Sequence, residues 1–179
     1  MVQDSNIIKP EESRGWIVPA VNFAIFFVYL LIMIIVVINA GLPKNIIIRY
    51  IIIIAIVLLL LITIYALAIT RIFFSMKYVV LNDRVILRCG WYKKDIMFSQ
   101  IEKVEIDNIK ANLLADSYSP IKFPGYALGR VYTFNKGLVY MCATRVNKNI
   151  LLIYLKNGEK VGITPKNIEE FKEFLIEKA

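Results

Sequence analysis

The sequence contains no histidine among its 179 residues. Histidine is the commonest general base and the commonest metal ligand, so its absence removes Ser-His and Cys-His nucleophile pairs and most metal sites. The remaining candidates show no catalytic arrangement, since Glu105 and Asp107 alternate with apolar residues as on the solvated face of a strand. We therefore expect a non-catalytic protein with no metal, no cofactor and no small-molecule substrate.

Cysteine is nearly absent. Cys89 and Cys142 are the two cysteines, and they lie 53 positions apart without CxxC spacing. This spacing suggests neither a zinc knuckle nor a thioredoxin-type redox pair. Two buried free thiols are the simplest expectation. A bridge stays open as an alternative, because intracellular disulfides occur in hyperthermophiles and the Ile- and Lys-rich composition fits a thermophile as well as an AT-rich genome.

Charge is missing from a long N-terminal stretch. Residues 16–40 contain no charged side chain over 25 positions, where about 20 suffice to cross the hydrocarbon core. A second apolar stretch, residues 46–69, carries only Arg49, which lies near one end and can extend toward the interface. Gly41 and Pro43 mark a tight turn between them. The first stretch is too long for a signal peptide and is followed at once by the second.

These stretches predict a hairpin of two transmembrane helices over residues 16–70, preceded by a polar tail over residues 1–15. No carboxylate lies in either span, so we interpret the hairpin as an anchor and not as a transport path. The short turn places both termini on the same side of the membrane. Basic residues are more frequent around the termini than in the turn, which predicts that both termini are cytoplasmic and that the protein spans the cell membrane twice.

The rest of the chain is charged and changes its hydrophobic period. After Thr70 there are 18 basic and 11 acidic residues, a net charge of +7. Short β-type runs are separated by turn signals at Asn82-Asp83, Asn135-Lys136-Gly137 and Asn157-Gly158, which predicts an antiparallel meander of seven or eight strands. The last fifteen residues have helical spacing, with Thr164-Pro165 as the predicted start. This amphipathic helix should dock on the sheet.

Several segments of this region resemble a known family. They are Tyr78 to Ile86, Phe98 to Val104, Phe123-Pro124-Gly125-Tyr126, Gly129, Gly137, Tyr140, Ala143-Thr144 and Ile163-Thr164-Pro165 leading to Phe171 and Leu175. Their order resembles the bacterial and archaeal PH-like (pleckstrin-homology-like) domain family, in which paired transmembrane helices often precede the domain. The resemblance implies that residues 76–179 form an antiparallel β-barrel or sandwich of about seven strands, closed by one C-terminal helix.

The resemblance also implies a binding or assembly module. Eukaryotic PH domains that bind phosphoinositides use basic residues around the first hairpin, and the residues here to which that role would carry over are Arg84, Arg88, Lys93 and Lys94. The first hypothesis is a membrane-anchored adaptor that binds a protein partner or a second copy at the inner membrane face. The alternative is recognition of anionic membrane lipids by these residues, supported by Arg71 and Lys77. A third interpretation is that the charges only solvate the strands.

Nucleic acid is not an expected partner. The aromatic residues Trp91, Tyr92 and Tyr126 are not set in a basic-aromatic stacking motif. The positive charge of the domain therefore favours an anionic membrane surface or an acidic protein.

Overall fold

The computed structural model describes residues 6–90, 92–110, 121–123 and 126–179. Trp91 and the Pro124-Gly125 turn, which the sequence analysis names, lie outside the described residues. The chain divides into two compact units. One is Ile17–Arg71, and the other is formed by the chain on both sides of it.

The first unit is helical. α1 (Ile17–Ala40) and α2 (Ile46–Phe74) are both long and apolar enough to cross a membrane. Gly41 ends α1 with a φ of +70°, and its amide donates to the carbonyl of Val37 at 3.0 Å. The side chain of Asn45 caps α2 by accepting from the amide of Ile47 at 2.9 Å. These helices indicate a membrane-associated protein.

The second unit begins with a four-stranded antiparallel sheet. Its strands, in spatial order, are β1 (Asn6–Ile8), β2 (Lys77–Val80), β3 (Arg84–Cys89) and β4 (Tyr92–Met97). Alternation places Tyr78 and Leu87 on the buried face, while Arg88 is on the outer face. The polar composition of the N-terminal segment did not predict that it contributes β1 to this sheet.

A six-stranded sheet completes the unit. Its strands are β5 (Ile101–Asp107), β6 (Ile121–Phe123), β7 (Tyr126–Thr133), β8 (Gly137–Ala143), β9 (Ile150–Leu155) and β10 (Lys160–Ile163). The spatial order is β5-β9-β10-β8-β7-β6, and β10 runs parallel to β8. The predicted meander is therefore wrong at this point, because the β9–β10 hairpin inserts between β5 and β8 instead of following β8. Gly158, with a φ of +83°, allows the tight turn of that hairpin.

The two sheets do not close into a barrel, but the expected mainly-β domain with a C-terminal helix is confirmed. The sheet interior contains fully buried residues such as Val131, Met141 and Leu152. α3 (Ile168–Lys178) packs on β5 and buries Phe171 and Leu175. The helix begins after Asn167, and not at the predicted Thr164-Pro165.

The structure corrects the expectation of free thiols. Cys89, at the end of β3, and Cys142, on β8, are both buried and form a disulfide. The bond joins the four-stranded sheet to the six-stranded sheet. Spacing along the chain could not reveal this pairing, because it depends on how the two sheets pack.

Candidate functional site

The four basic residues predicted as a site do not form one cluster. Arg84 lies at the start of β3, at the opposite end of that strand from Arg88. Its guanidinium is 2.7 Å from the carboxylate of Asp83. The hydrogen bond from Arg84 lowers the pKa of Asp83. Arg84 is thus partly neutralised by its neighbour in sequence and is separated from the other predicted site residues by the length of the strand.

Lys94 lies on the other face of the sheet. It is opposite the buried Leu87 in the β3–β4 register, and its Nζ is 2.6 Å from Oε2 of Glu159 and 5.0 Å from the ring centre of Tyr140. The hydrogen bond from Lys94 lowers the pKa of Glu159. Lys94 therefore connects β4 to residues of the six-stranded sheet and its turn, which is a structural role.

Arg88 and Lys93 share the outer face with a third cation. Arg88 lies directly opposite Lys77 on one side and Lys93 on the other. Like charges in directly opposed positions destabilise a sheet. The charge of Lys93 is balanced by Asp95, whose carboxylate is 3.1 Å from the Lys93 Nζ. In the part of the chain that the structure describes, no ion pair reaches Lys77 or Arg88.

A groove of about 1120 Å³ lies beside this row of cations. Lys77 and Arg88 line it from the four-stranded sheet, and Lys9 and Arg14 line it from the N-terminal segment. Like Lys77 and Arg88, Lys9 and Arg14 have no ion-pair partner among the described residues. Arginine and lysine side chains of this kind can bind oxyanions through charge-assisted hydrogen bonds.

Two carboxylates also line the groove, so its charge is mixed. Glu11 and Glu12 contribute them. The carboxylate of Glu11 is already bound by the guanidinium of Arg145. The four cations therefore face one carboxylate that has no ion pair within the described residues. The groove carries an excess of positive charge and suits an anionic ligand.

Backbone and hydroxyl contacts fix the N-terminal wall of the groove. Thr144 donates its Oγ1 proton to the carbonyl of Glu11 at 2.7 Å, and the amide of Glu11 donates to the carbonyl of Thr164 at 2.7 Å. The amide of Thr144 donates to Oγ1 of Thr164 at 2.8 Å. Both threonines are almost fully buried. This bonding explains why Thr164 does not begin the last helix.

The other wall is fixed at the turn after Arg88. Gly90 has a φ of +59°, and a Cβ there would lie 2.9 Å from Cγ1 of Ile72. Its amide donates to Oγ of Ser75 at 2.7 Å. A larger residue could not occupy this position without displacing Ile72. Gly90 thus lets the end of β3 lie close to residues 72–75.

Aromatic rings complete the lining. The ring centres of Trp16 and Phe74 are 5.8 Å apart, and both side chains are exposed. Trp16 immediately precedes α1, and Phe74 is the last residue of α2. Tryptophan is favoured at the level of lipid headgroups. The groove therefore contains both cations and aromatic rings. In the sequence, these aromatic residues lie at the ends of the two apolar helices.

Sequence reasoning found part of this groove. It included Arg88 and gave Lys77 as support, but Lys9 and Arg14 were assigned to a polar tail. Their place in the groove depends on the pairing of the N-terminal segment with the domain, for which the sequence offers no short-range signal. Among the described residues there is no group of three or more cysteine or acidic side chains that could hold a metal ion.

A mainly-β domain closed by one helix, in a chain with two apolar helices, indicates a membrane-associated module. Residues 76–179 match the family model described as Bacterial PH domain, and the chain belongs to that family, which is generally non-catalytic. The sequence-based resemblance is thereby confirmed. No curated protein and no solved structure matches the chain.

Proposed function

We propose that this protein is a non-catalytic, membrane-anchored binding module whose domain recognises anionic lipid headgroups at the inner face of the cell membrane. The observation that supports this proposal is the convergence of Lys9, Arg14, Lys77 and Arg88 on one groove. Both termini are cytoplasmic in this proposal, so the domain lies on the side of the membrane whose surface potential attracts basic residues.

The positions of two groove cations in the chain favour a ligand that is part of the membrane over one that is far from it. Arg14 is three positions before the start of α1, and Lys77 is three positions after the end of α2. Three residues span at most about 11 Å, so these cations stay near the ends of the anchoring helices. Each basic residue close to an anionic surface contributes about 1 kcal/mol. Four such residues can therefore select anionic over neutral headgroups.

A titration with short-chain lipids tests this proposal. The full chain is held in a neutral detergent, and its melting temperature is measured with dioctanoyl phosphatidylglycerol and with dioctanoyl phosphatidylcholine. A ligand that binds only the folded protein raises the melting temperature. We expect a rise with the anionic lipid alone, and we expect that rise to shrink as salt is added.

Paired variants locate the effect. Lys77→Gln/Arg88→Gln removes two groove cations, whereas Lys110→Gln/Lys148→Gln removes two exposed cations outside the groove lining. Only the first variant should lose the response to the anionic lipid. Equal responses to both lipids, or equal loss in both variants, would contradict the proposal and favour the adaptor hypothesis, in which a protein partner or a second copy binds the domain.

A further inference from the structure

The N-terminal segment connects the two sheets. β1 pairs with β2 in the four-stranded sheet, with Ile8 opposite Tyr78. A few residues later, Pro10 forms a bridge with Pro165, just after β10 of the six-stranded sheet. The amide of Lys166 donates to the carbonyl of Lys9 at 3.1 Å. The segment thus crosses from one sheet to the other along the edge of the groove.

The same segment supplies half of the cations in the groove. Lys9 and Arg14 come from it, whereas Lys77 and Arg88 come from β2 and β3. With Glu12 counted on the N-terminal wall, and Glu11 left out because it is paired with Arg145, the two walls carry net charges of +1 and +2 and repel each other weakly when no anion is bound. An anion between them reverses the sign of that interaction. The charge of the groove therefore opposes docking of the segment when the groove is empty and favours it when an anion is bound.

The contacts that hold the segment include a three-residue strand, the Pro10–Pro165 bridge, the hydrogen bonds of Lys9 and Glu11, and the ion pair between Glu11 and Arg145. A short edge strand of this kind adds little stability by itself and opens at low free-energy cost. Its docking equilibrium is therefore open to influence by a ligand.

We propose that residues 9–14 are one wall of a phosphate-binding site, and that docking of this segment is coupled to binding of a headgroup phosphate between it and the Lys77–Arg88 wall. This inference rests on the proposed function. Coupling of this kind is reciprocal: the phosphate stabilises the docked segment, and the docked segment raises the affinity for the phosphate. Thr144 is a positioning residue, because its hydroxyl holds the carbonyl of Glu11.

Hydrogen exchange of the segment tests the coupling in one direction. Hydrogen exchange of the backbone amides of residues 6–16 is measured in the full chain in neutral detergent. Three conditions are compared: dioctanoyl phosphatidylglycerol, inorganic phosphate, and no added ligand. We expect the lipid to slow exchange at the amide of Glu11, which donates to Thr164. Slowing by inorganic phosphate as well would identify the phosphate group as sufficient, and slowing by the lipid alone would show that the whole headgroup is required. Lys77→Gln/Arg88→Gln should abolish the slowing.

Substitution of Thr144 tests the other direction. Thr144→Val removes the hydroxyl that holds Glu11, and Thr144→Ser retains it. Thr133→Val is the control, because Thr133 is also fully buried and donates to a backbone carbonyl, that of Gly137, but lies outside the groove lining. Loss of one such hydrogen bond should weaken binding of dioctanoyl phosphatidylglycerol about fivefold. The serine variant and the control should bind as the unmodified protein does.

The outcomes separate this inference from the proposed function. The lipid could raise the melting temperature without slowing hydrogen exchange of residues 6–16, and Thr144→Val could bind the lipid as tightly as the unmodified protein does. In that case the groove binds lipid and the coupling is refuted. If the lipid has no effect on melting, the proposed function and the inference fall together.

Discussion

The phenolic oxygen of Tyr78 on β2 donates its proton to the carbonyl oxygen of Cys142 on β8 at 2.8 Å. It also accepts a hydrogen bond from the amide of Thr164 at 3.2 Å. Tyr78 is completely buried, and burial raises the pKa of its hydroxyl to about 12. One side chain of the four-stranded sheet thus satisfies two backbone groups of the opposite half of the domain.

Tyr78→Phe should destabilise the domain. The substitution leaves a buried carbonyl and a buried amide without this partner, which costs about 1–3 kcal/mol in the free energy of unfolding. Denaturant unfolding of the full chain in detergent measures the loss. Tyr126→Phe is a matched control, because the Tyr126 hydroxyl is buried without a hydrogen-bond partner in the part of the chain described. We expect that variant to be neutral or more stable, and equal losses in the two variants would contradict this account.

The disulfide between Cys89 and Cys142 should contribute to stability. Its two cysteines are 53 positions apart, and a cross-link over such a loop restricts the unfolded chain. Replacing both residues by serine should lower the free energy of unfolding by about 2–4 kcal/mol. The unmodified protein should be sensitive to reductant and the double variant insensitive. Two thiols that react in the denatured protein without reductant would show that the bond is absent.

Protonation of the Glu105 carboxylate should lower the free energy of unfolding at acidic pH. Its carboxylate accepts hydrogen bonds from Lys103, Tyr154 and Lys136, at 2.5, 2.5 and 3.1 Å. These bonds, that from Lys103 first, lower its pKa from 4.5 to about 2. A carboxylate whose pKa is lower in the folded state stabilises the fold above the unfolded value, and this stabilisation is lost as pH falls from about 4.5 toward 2.

Glu105→Gln should therefore lower the free energy of unfolding at pH 7 by about 1 kcal/mol, the scale expected for a partly exposed ion pair. The difference from the unmodified protein should shrink as pH falls from 4.5 to 2. Glu102→Gln provides the control, because Glu102 is an exposed residue of the same strand without an ion pair among the described residues. A difference between Glu105→Gln and the unmodified protein that stays constant over this pH range would argue against the Glu105 assignment.

The sequence predicted those parts of the fold that depend on local patterns. The apolar stretches identified both helices, and the short β-type runs with their turn signals identified a mainly-β domain after them. It did not predict the parallel pairing of β10 with β8 or the Cys89–Cys142 bond. Both depend on contacts between residues that are distant in sequence. Such contacts leave no local pattern, so a single sequence carries little information about them.

The site was predicted less completely, for a related reason. Composition and resemblance selected the basic residues of the first hairpin, but strand alternation places Lys94 on the opposite face from Arg88. Lys9 lies about 70 positions before the domain and joins the groove only because β1 pairs with β2. A charge count could not have shown which cations already have carboxylate partners.

The orientation of the chain is a separate prediction. A green fluorescent protein fused after Ala179 should fluoresce, because both termini are expected in the cytoplasm. Alkaline phosphatase fused at the same position should be inactive, whereas the same enzyme fused after Leu42, in the turn between the helices, should be active. An active phosphatase after Ala179 would place the domain outside the cell and refute the inward orientation.

The most direct measurement of the central proposal is native mass spectrometry of the full chain released from its own membrane. We predict that the unmodified protein and Lys110→Gln/Lys148→Gln retain anionic phospholipid, and that Lys77→Gln/Arg88→Gln loses most of it. Retention of zwitterionic and anionic lipids in the proportions of the membrane, unchanged by Lys77→Gln/Arg88→Gln, would contradict recognition of anionic headgroups by the groove.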